Sequence, residues 1–116
     1  MNKFKELKVW QKSIQLVTNI YSATINFPKK EIYGITSQIR RCAVSIPSNI
    51  AEGAGRGTKK DFSHFLDIAK DSSFELETQL IISKELGFID HNIYVSIFSE
   101  LEKIQKMITG LQKSLN

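Results

Sequence analysis

Cysteine and proline are nearly absent from this 116-residue chain, which has one Cys (Cys42) and two Pro (Pro28 and Pro47). A lone cysteine excludes an intrachain disulfide framework and favours a reducing compartment, with Cys42 a small core residue. Glycine is also scarce, six in all, and three of these are Gly53, Gly55 and Gly57. So few breakers favour a few long elements over many short strands. No apolar run approaches the roughly 20 residues of a membrane span. The opening MNKFKELKVW has no apolar signal-peptide core. A single cytoplasmic domain over 1–116 is expected, large enough for one core without disulfide or metal. Acid is missing from the first half. Residues 1–60 hold eleven Lys/Arg against three Asp/Glu, net +8, and residues 61–116 hold five against nine, net −4. Such polarity fits an anionic partner, pairing between unlike halves of neighbouring copies, or a solvated mixed surface.

Helical periodicity is present throughout. Leu7, Trp10, Ile14, Val17, Tyr21 and Ile25 form one stripe, ending near Asn26 because the residue before Pro28 is pushed out of the helical region. A second helix runs from near Tyr33 to the glycines after Glu52, with Ile32, Ile35, Ile39, Cys42, Ala43, Ile46 and Ile50 on its stripe. Thr58 with Asp61 announces a third helix, with Phe62, Phe65, Leu66, Ala69, Leu76 and Leu80 inward and Gly87 as its stop. A fourth opens at Asp90 as N-cap and carries a heptad seam from Tyr94 through Ile97, Leu101, Ile104, Ile108 and Leu111 to Leu115. Short connections make consecutive helices antiparallel. The expected fold is therefore all-α, an up-down-up-down four-helix bundle. Pro47 predicts a kinked but continuous second helix, with Ser45 and Ser48 serving freed carbonyls. The alternative is a stop near Ser45 and a restart at Pro47.

The first helix has a second apolar arc, Val9, Leu16, Ile20, Ala23 and Phe27, roughly opposite the first stripe. A monomer's surface helix usually needs one stripe, so this arc is read as a homo-oligomer interface. The bland reading is a broad core face buried by two neighbours.

The segments LKVWQKS (7–13), FPKKEIYGITSQIRRCAVSIPSNIAEGAGR (27–56), FLDIAKDSSFELETQL (65–80) and LGFI (86–89) resemble the 23S-rRNA intervening-sequence proteins. The resemblance implies a small bacterial cytosolic four-helix bundle that assembles into rings, pentamers in particular. It also implies genes that in some members lie within segments inserted in ribosomal RNA genes. Related bundles accompany diversity-generating reverse transcriptases and turn basic surfaces toward nucleic acid. No enzyme activity is established for the family. Asp71 stands where the family pattern leads one to expect a small residue, which puts a close contact there in doubt.

The candidate nucleic-acid surface, for RNA or DNA, is Lys29, Lys30, Arg40, Arg41, Arg56, Lys59 and Lys60. Lys29 and Lys30 fall at one end of the second helix and Arg56, Lys59 and Lys60 at the other. Arg40 and Arg41 diverge by about 100° on a helix, so they need not share a role. Arg41 has a second reading, pairing near Glu52 or with an adjacent subunit. No aromatic residues interleave with these cations, which weakens a single-strand stacking reading. The GAGRG turn follows a helix and lacks the Walker lysine-serine ending, so a plain interhelical turn is the better reading. His64, Asp67, Asp71 and Glu75 share a face opposite the core, and read as an acidic outer surface rather than a metal site. No nucleophile has a histidine placed by a recognisable motif, so neither catalysis nor a cofactor is expected. A protein–protein scaffold assembled as a homo-oligomeric ring is the alternative function.

Overall fold

The computed structural model describes residues 3–116. It has four α-helices: α1 Lys8–Thr24, α2 Ile35–Ala54, α3 Lys59–Glu85 and α4 His91–Ser114. Short 3-10 turns occupy Phe4–Glu6 and Lys29–Glu31, and no strand occurs among the described residues.

Local chemistry sets the helix ends. Thr58 Oγ1 accepts the Asp61 backbone N–H at 3.1 Å and caps α3. At its other end Gly87 takes φ 76°, Phe88 N–H donates to Ser83 C=O, and Gly87 N–H donates to Lys84 C=O. This is a Schellman closure, open to glycine because that φ strains any side chain. Asp90 precedes α4 as expected, yet its side chain makes no capping bond. The second helix starts at Ile35, close to Tyr33 as expected, and Lys29–Glu31 form a separate turn after Pro28.

α1 packs on α2 and α4, α3 packs on α2 and α4, and among the described residues no helices meet across the diagonal. Residue numbers that rise along one helix fall along its neighbour, so the pairs run antiparallel. Across α2 and α3, Cys42 Sγ donates to Glu75 Oε2, and Ser45 Oγ lies 2.8 Å from Ser72 Oγ. Across α3 and α4, Gln105 donates to Glu77 and Gln112 to Asp67. Asn19 on α1 donates to Glu100 on α4 at 2.8 Å. The molecule measures 43 × 23 × 20 Å, which matches a 27-residue helix of about 40 Å setting its long axis.

The core holds Leu16, Ile20, Ile39, Ile46, Ile50, Leu66, Leu76, Leu80, Leu101, Ile104 and Ile108, all essentially inaccessible to solvent. This reverses the reading of α1. Val9, Leu16, Ile20 and Phe27 are buried inside the chain and Ala23 is half-buried, so they are not free to meet another subunit. The stripe taken as core is divided instead: Ile14 is 38% exposed, Tyr21 43% and Ile25 72%, whereas Leu7, Trp10 and Val17 are half-buried and pack against the edge of the core. Ser13 and Thr24 lie on the buried side, their hydroxyls donating to the Trp10 and Ile20 carbonyls. Such back-bonding hides a small hydroxyl without a tertiary partner. The two arcs of α1 have similar apolarity, so periodicity alone could not rank them.

α2 runs unbroken through Pro47, whose ring is buried. The restart alternative is thereby corrected. Proline leaves the Ala43 carbonyl without its usual helical donor. Ser45 does not serve it. Its hydroxyl is shared with Ser72 across the seam and accepts from Asn49 Nδ2 at 2.9 Å.

α2 and α3 pack tightly at Gly53, where the glycine faces Phe62 and Phe65. A Cβ added at Gly53 would lie 2.7 Å from Phe65 Cβ and 3.2 Å from the Phe62 carbonyl. Both neighbours are attached closely to the backbone and cannot swing away. Gly53→Ala is therefore expected to lower stability by about 1–3 kcal/mol through overpacking, read as a fall in thermal midpoint. A midpoint equal to the parent's would mean the seam opens without strain. Asp71 causes no conflict with this close packing, since its side chain is exposed.

Candidate nucleic-acid interface

The antiparallel arrangement sorts the chain's cations into different neighbourhoods. One pole gathers the start of α1, the α2–α3 turn and the end of α4. It carries Lys3, Lys5 and Lys8, then Arg56, Lys59 and Lys60, then Lys113, all exposed. The turn Phe4–Glu6 touches both α1 and α2, and Lys59 and Lys60 line one shallow cavity with Leu115 and Asn116. Acids at this pole are Glu6, Glu52 and Asp61.

Arg56 is held by two contacts within the chain. Its Nη2 lies 3.1 Å from Glu52 Oε2, and its guanidinium carbon lies 4.9 Å from the Phe65 ring centroid. Both partners are on helices and hold Arg56 at the end of α2, with Glu52 offsetting part of its charge. Gly57, at φ 93°, gives the turn its reversal into the Thr58 cap. Lys59 and Lys60 occupy the first turn of α3, where backbone N–H groups also favour anions.

The remaining expected cations are not part of this pole. Lys29 and Lys30 are exposed on the 3-10 turn at the opposite end. Arg40 is half-buried and turned toward α1, where its Nε–H donates to Thr24 Oγ1 at 2.9 Å and its guanidinium stacks 4.7 Å from the Tyr21 ring centroid. Arg41 is exposed on the outer side of α2, and no ion pair joins it to Glu52, which is taken by Arg56. The seven expected residues therefore form three groups: Lys29 and Lys30 with Arg40, which shares a cavity with Lys29, Arg41 alone, and Arg56 with Lys59 and Lys60. Sequence reasoning missed Lys3, Lys5, Lys8 and Lys113. Their signal was topological: an antiparallel bundle places both chain ends beside its middle turn.

Aromatic rings do lie against two of these cations, Tyr21 against Arg40 and Phe65 against Arg56, and Tyr33 is 94% exposed three residues beyond Lys30. Cys42 is half-buried, and burial, with the Glu75 carboxylate beside it, pushes its thiol above the ordinary cysteine range. That favours the thiol over the reactive thiolate. His64, Asp67, Asp71 and Glu75 are all exposed on the outer face of α3, with Asp67 accepting from Gln112 at 2.6 Å. No helix of the described residues is long and apolar enough to cross a membrane.

These features define a class: an antiparallel four-helix bundle with a tight α2–α3 seam, an apolar outer stripe on α1 and one cationic pole. The chain belongs to the 23S rRNA-intervening sequence protein family, whose family model matches residues 5–110. It is similar in structure to a protein of unknown function from the S23 ribosomal protein family of Bacteroides thetaiotaomicron, with a TM-score of 0.83 and 25% identity. That alignment covers 90% of this chain and 95% of the other. No curated protein sequence matches the chain at a significant level.

Proposed function

We propose that this chain is a non-enzymatic accessory that holds RNA or DNA through its cationic pole. The observation that carries the reading is the convergence of Lys3, Lys5, Lys8, Arg56, Lys59, Lys60 and Lys113 on one end of the bundle. Clustered cations gain affinity by releasing condensed counterions from phosphates, a sequence-independent term. The family's name, which ties its members to intervening sequences of 23S rRNA, supports a nucleic-acid setting. The cytoplasm suits both that setting and a single, inert thiol. The test is titration of a mixed-sequence duplex at several salt concentrations. Binding that falls steeply with salt is expected, and binding indifferent to salt overturns the reading.

A second reading, assembly into a homo-oligomeric ring, is favoured by the outward stripe of α1. Ile14, Tyr21 and Ile25 lie exposed there, and Ile32 and Val44 are exposed on the segments that follow. A cationic α1–α2 side, with Lys8, Lys12, Lys29, Lys30 and Arg41, complements the acidic outer face of α3 in a neighbouring copy. A head-to-tail contact of this kind closes into a ring, of five copies as the family resemblance implies, and a ring multiplies the cationic poles. Ile14→Glu combined with Ile25→Glu is expected to leave the helix content intact and lower the mass by light scattering. An unchanged mass removes this stripe as the contact.

A further inference from the structure

We propose that the cleft between the end of α1 and the start of α2 binds a small amphiphilic anion, an apolar ring or branched chain bearing one carboxylate or phosphate. The first reason is Arg40. It is half-buried, and the one ion pair among the described residues belongs to Arg56 and Glu52, so Arg40 has no carboxylate partner. Its Nε–H is committed to Thr24 Oγ1 and its face to the Tyr21 ring, which fixes the plane of the guanidinium. Its terminal amino groups donate to no protein acceptor. A guanidinium oriented in this way and lacking a counter-ion is suited to a planar or tetrahedral oxyanion.

The second reason is the space beside it. An open cavity of about 260 Å³ has apolar walls from Ile25, Phe27, Pro28 and Ile32, with Lys29 and Arg40 as its two cations. A dry cavity of about 150 Å³ accommodates benzene, so this one has room for a ring and an anionic head. The nearest acid in sequence, Glu31, is not in the lining, and its carboxylate is turned toward the Ile35 backbone N–H, 3.5 Å away. Thr36, in the same wall, buries a hydroxyl with no partner, which marks a site whose polar groups are incompletely matched by the chain itself. An occupant would cover exposed Ile25 and Ile32 while neutralising Arg40. The site lies away from the cationic pole and does not depend on nucleic-acid binding.

The test is a titration of the nitrogen-labelled full chain with phenyl phosphate, benzoate, inorganic phosphate and benzyl alcohol. The readout is the amide shifts of Thr24, Ile32 and Thr36 and the Arg40 Nε–H resonance. Saturable shifts are expected with phenyl phosphate or benzoate, weaker ones with inorganic phosphate, and none with benzyl alcohol at equal concentration. Arg40→Lys keeps the charge but loses the fork, and is expected to weaken phenyl phosphate roughly tenfold. Lys29→Ala, at an exposed position without a structural partner, is expected to weaken it several-fold and guards against a folding defect in the Arg40 variant. The absence of saturable shifts with millimolar phenyl phosphate overturns the site. Equal affinity for inorganic and phenyl phosphate overturns the apolar half of the assignment, and parental affinity in both variants overturns the cationic half.

Discussion

Leu16→Glu is expected to abolish cooperative folding, and Ile20→Glu to do the same. Both side chains are fully buried on the face of α1 that meets the other helices. Removing either apolar side chain forfeits about 1.5–3 kcal/mol of burial. A carboxylate left there without a partner costs several kcal/mol more. A domain of this size holds only about 5–15 kcal/mol in total, so the two terms together consume most of it. Circular dichroism should show lost helix and no thermal transition. Ile25→Glu, where the parent side chain is 72% exposed, should keep both. A folded Leu16→Glu chain of reduced mass would restore the Val9–Phe27 arc as a contact between subunits.

The second large effect is expected from reversing charge at the cationic pole. Lys59→Glu with Lys60→Glu replaces two exposed cations in the first turn of α3. Acidic residues are favourable at a helix N-terminus, so the fold should be as stable as the parent or slightly more so. Loss of binding then cannot be blamed on unfolding. Each phosphate contact contributes about 0.9 to the slope of log K against log salt, so the slope should shrink by roughly two. Affinity at low salt should fall about tenfold to a thousandfold, since two attractions become two repulsions. Adding Arg56→Glu should deepen the loss less than a third lysine would, because Arg56 already shares its charge with Glu52. The matched control is Lys29→Glu with Lys30→Glu at the opposite end, expected to change binding little. An equal loss from that control would show that phosphates do not prefer one pole.

Much of the fold is legible in the residues. The Thr58 cap, the Gly87 stop and the α4 seam through Ile97, Leu101, Ile104 and Ile108 each rest on interactions within a few residues, and such signals survive in a linear string. The buried serines of α3 were less legible. Ser73 and Ser83 satisfy their hydroxyls on their own helix, at the Lys70 and Gln79 carbonyls, so polarity in the sequence did not mean exposure.

The candidate site was legible only in part. Arg56, Lys59 and Lys60 stand together in sequence and remain together in space. Lys3, Lys5, Lys8 and Lys113 join them only because four helices alternate in direction, a fact no window of sequence contains. Arg40 and Arg41, adjacent in the chain, were separated by helical geometry, one toward α1 and the other toward solvent.

By itself, then, the sequence determined the number of helices, where they stop and start, and the imbalance of charge between the two halves. These depend on local hydrogen bonding, on glycine and proline stereochemistry, and on composition. Only the tertiary structure decided which of the two apolar arcs of α1 is core, how close α2 and α3 come at Gly53, and which cations share a pole. The physical reason is the same in all three cases. An amphipathic helix fixes the angles between its own side chains, but the direction of the core is set by the neighbours it packs against, and α1 offered them two faces of nearly equal apolarity.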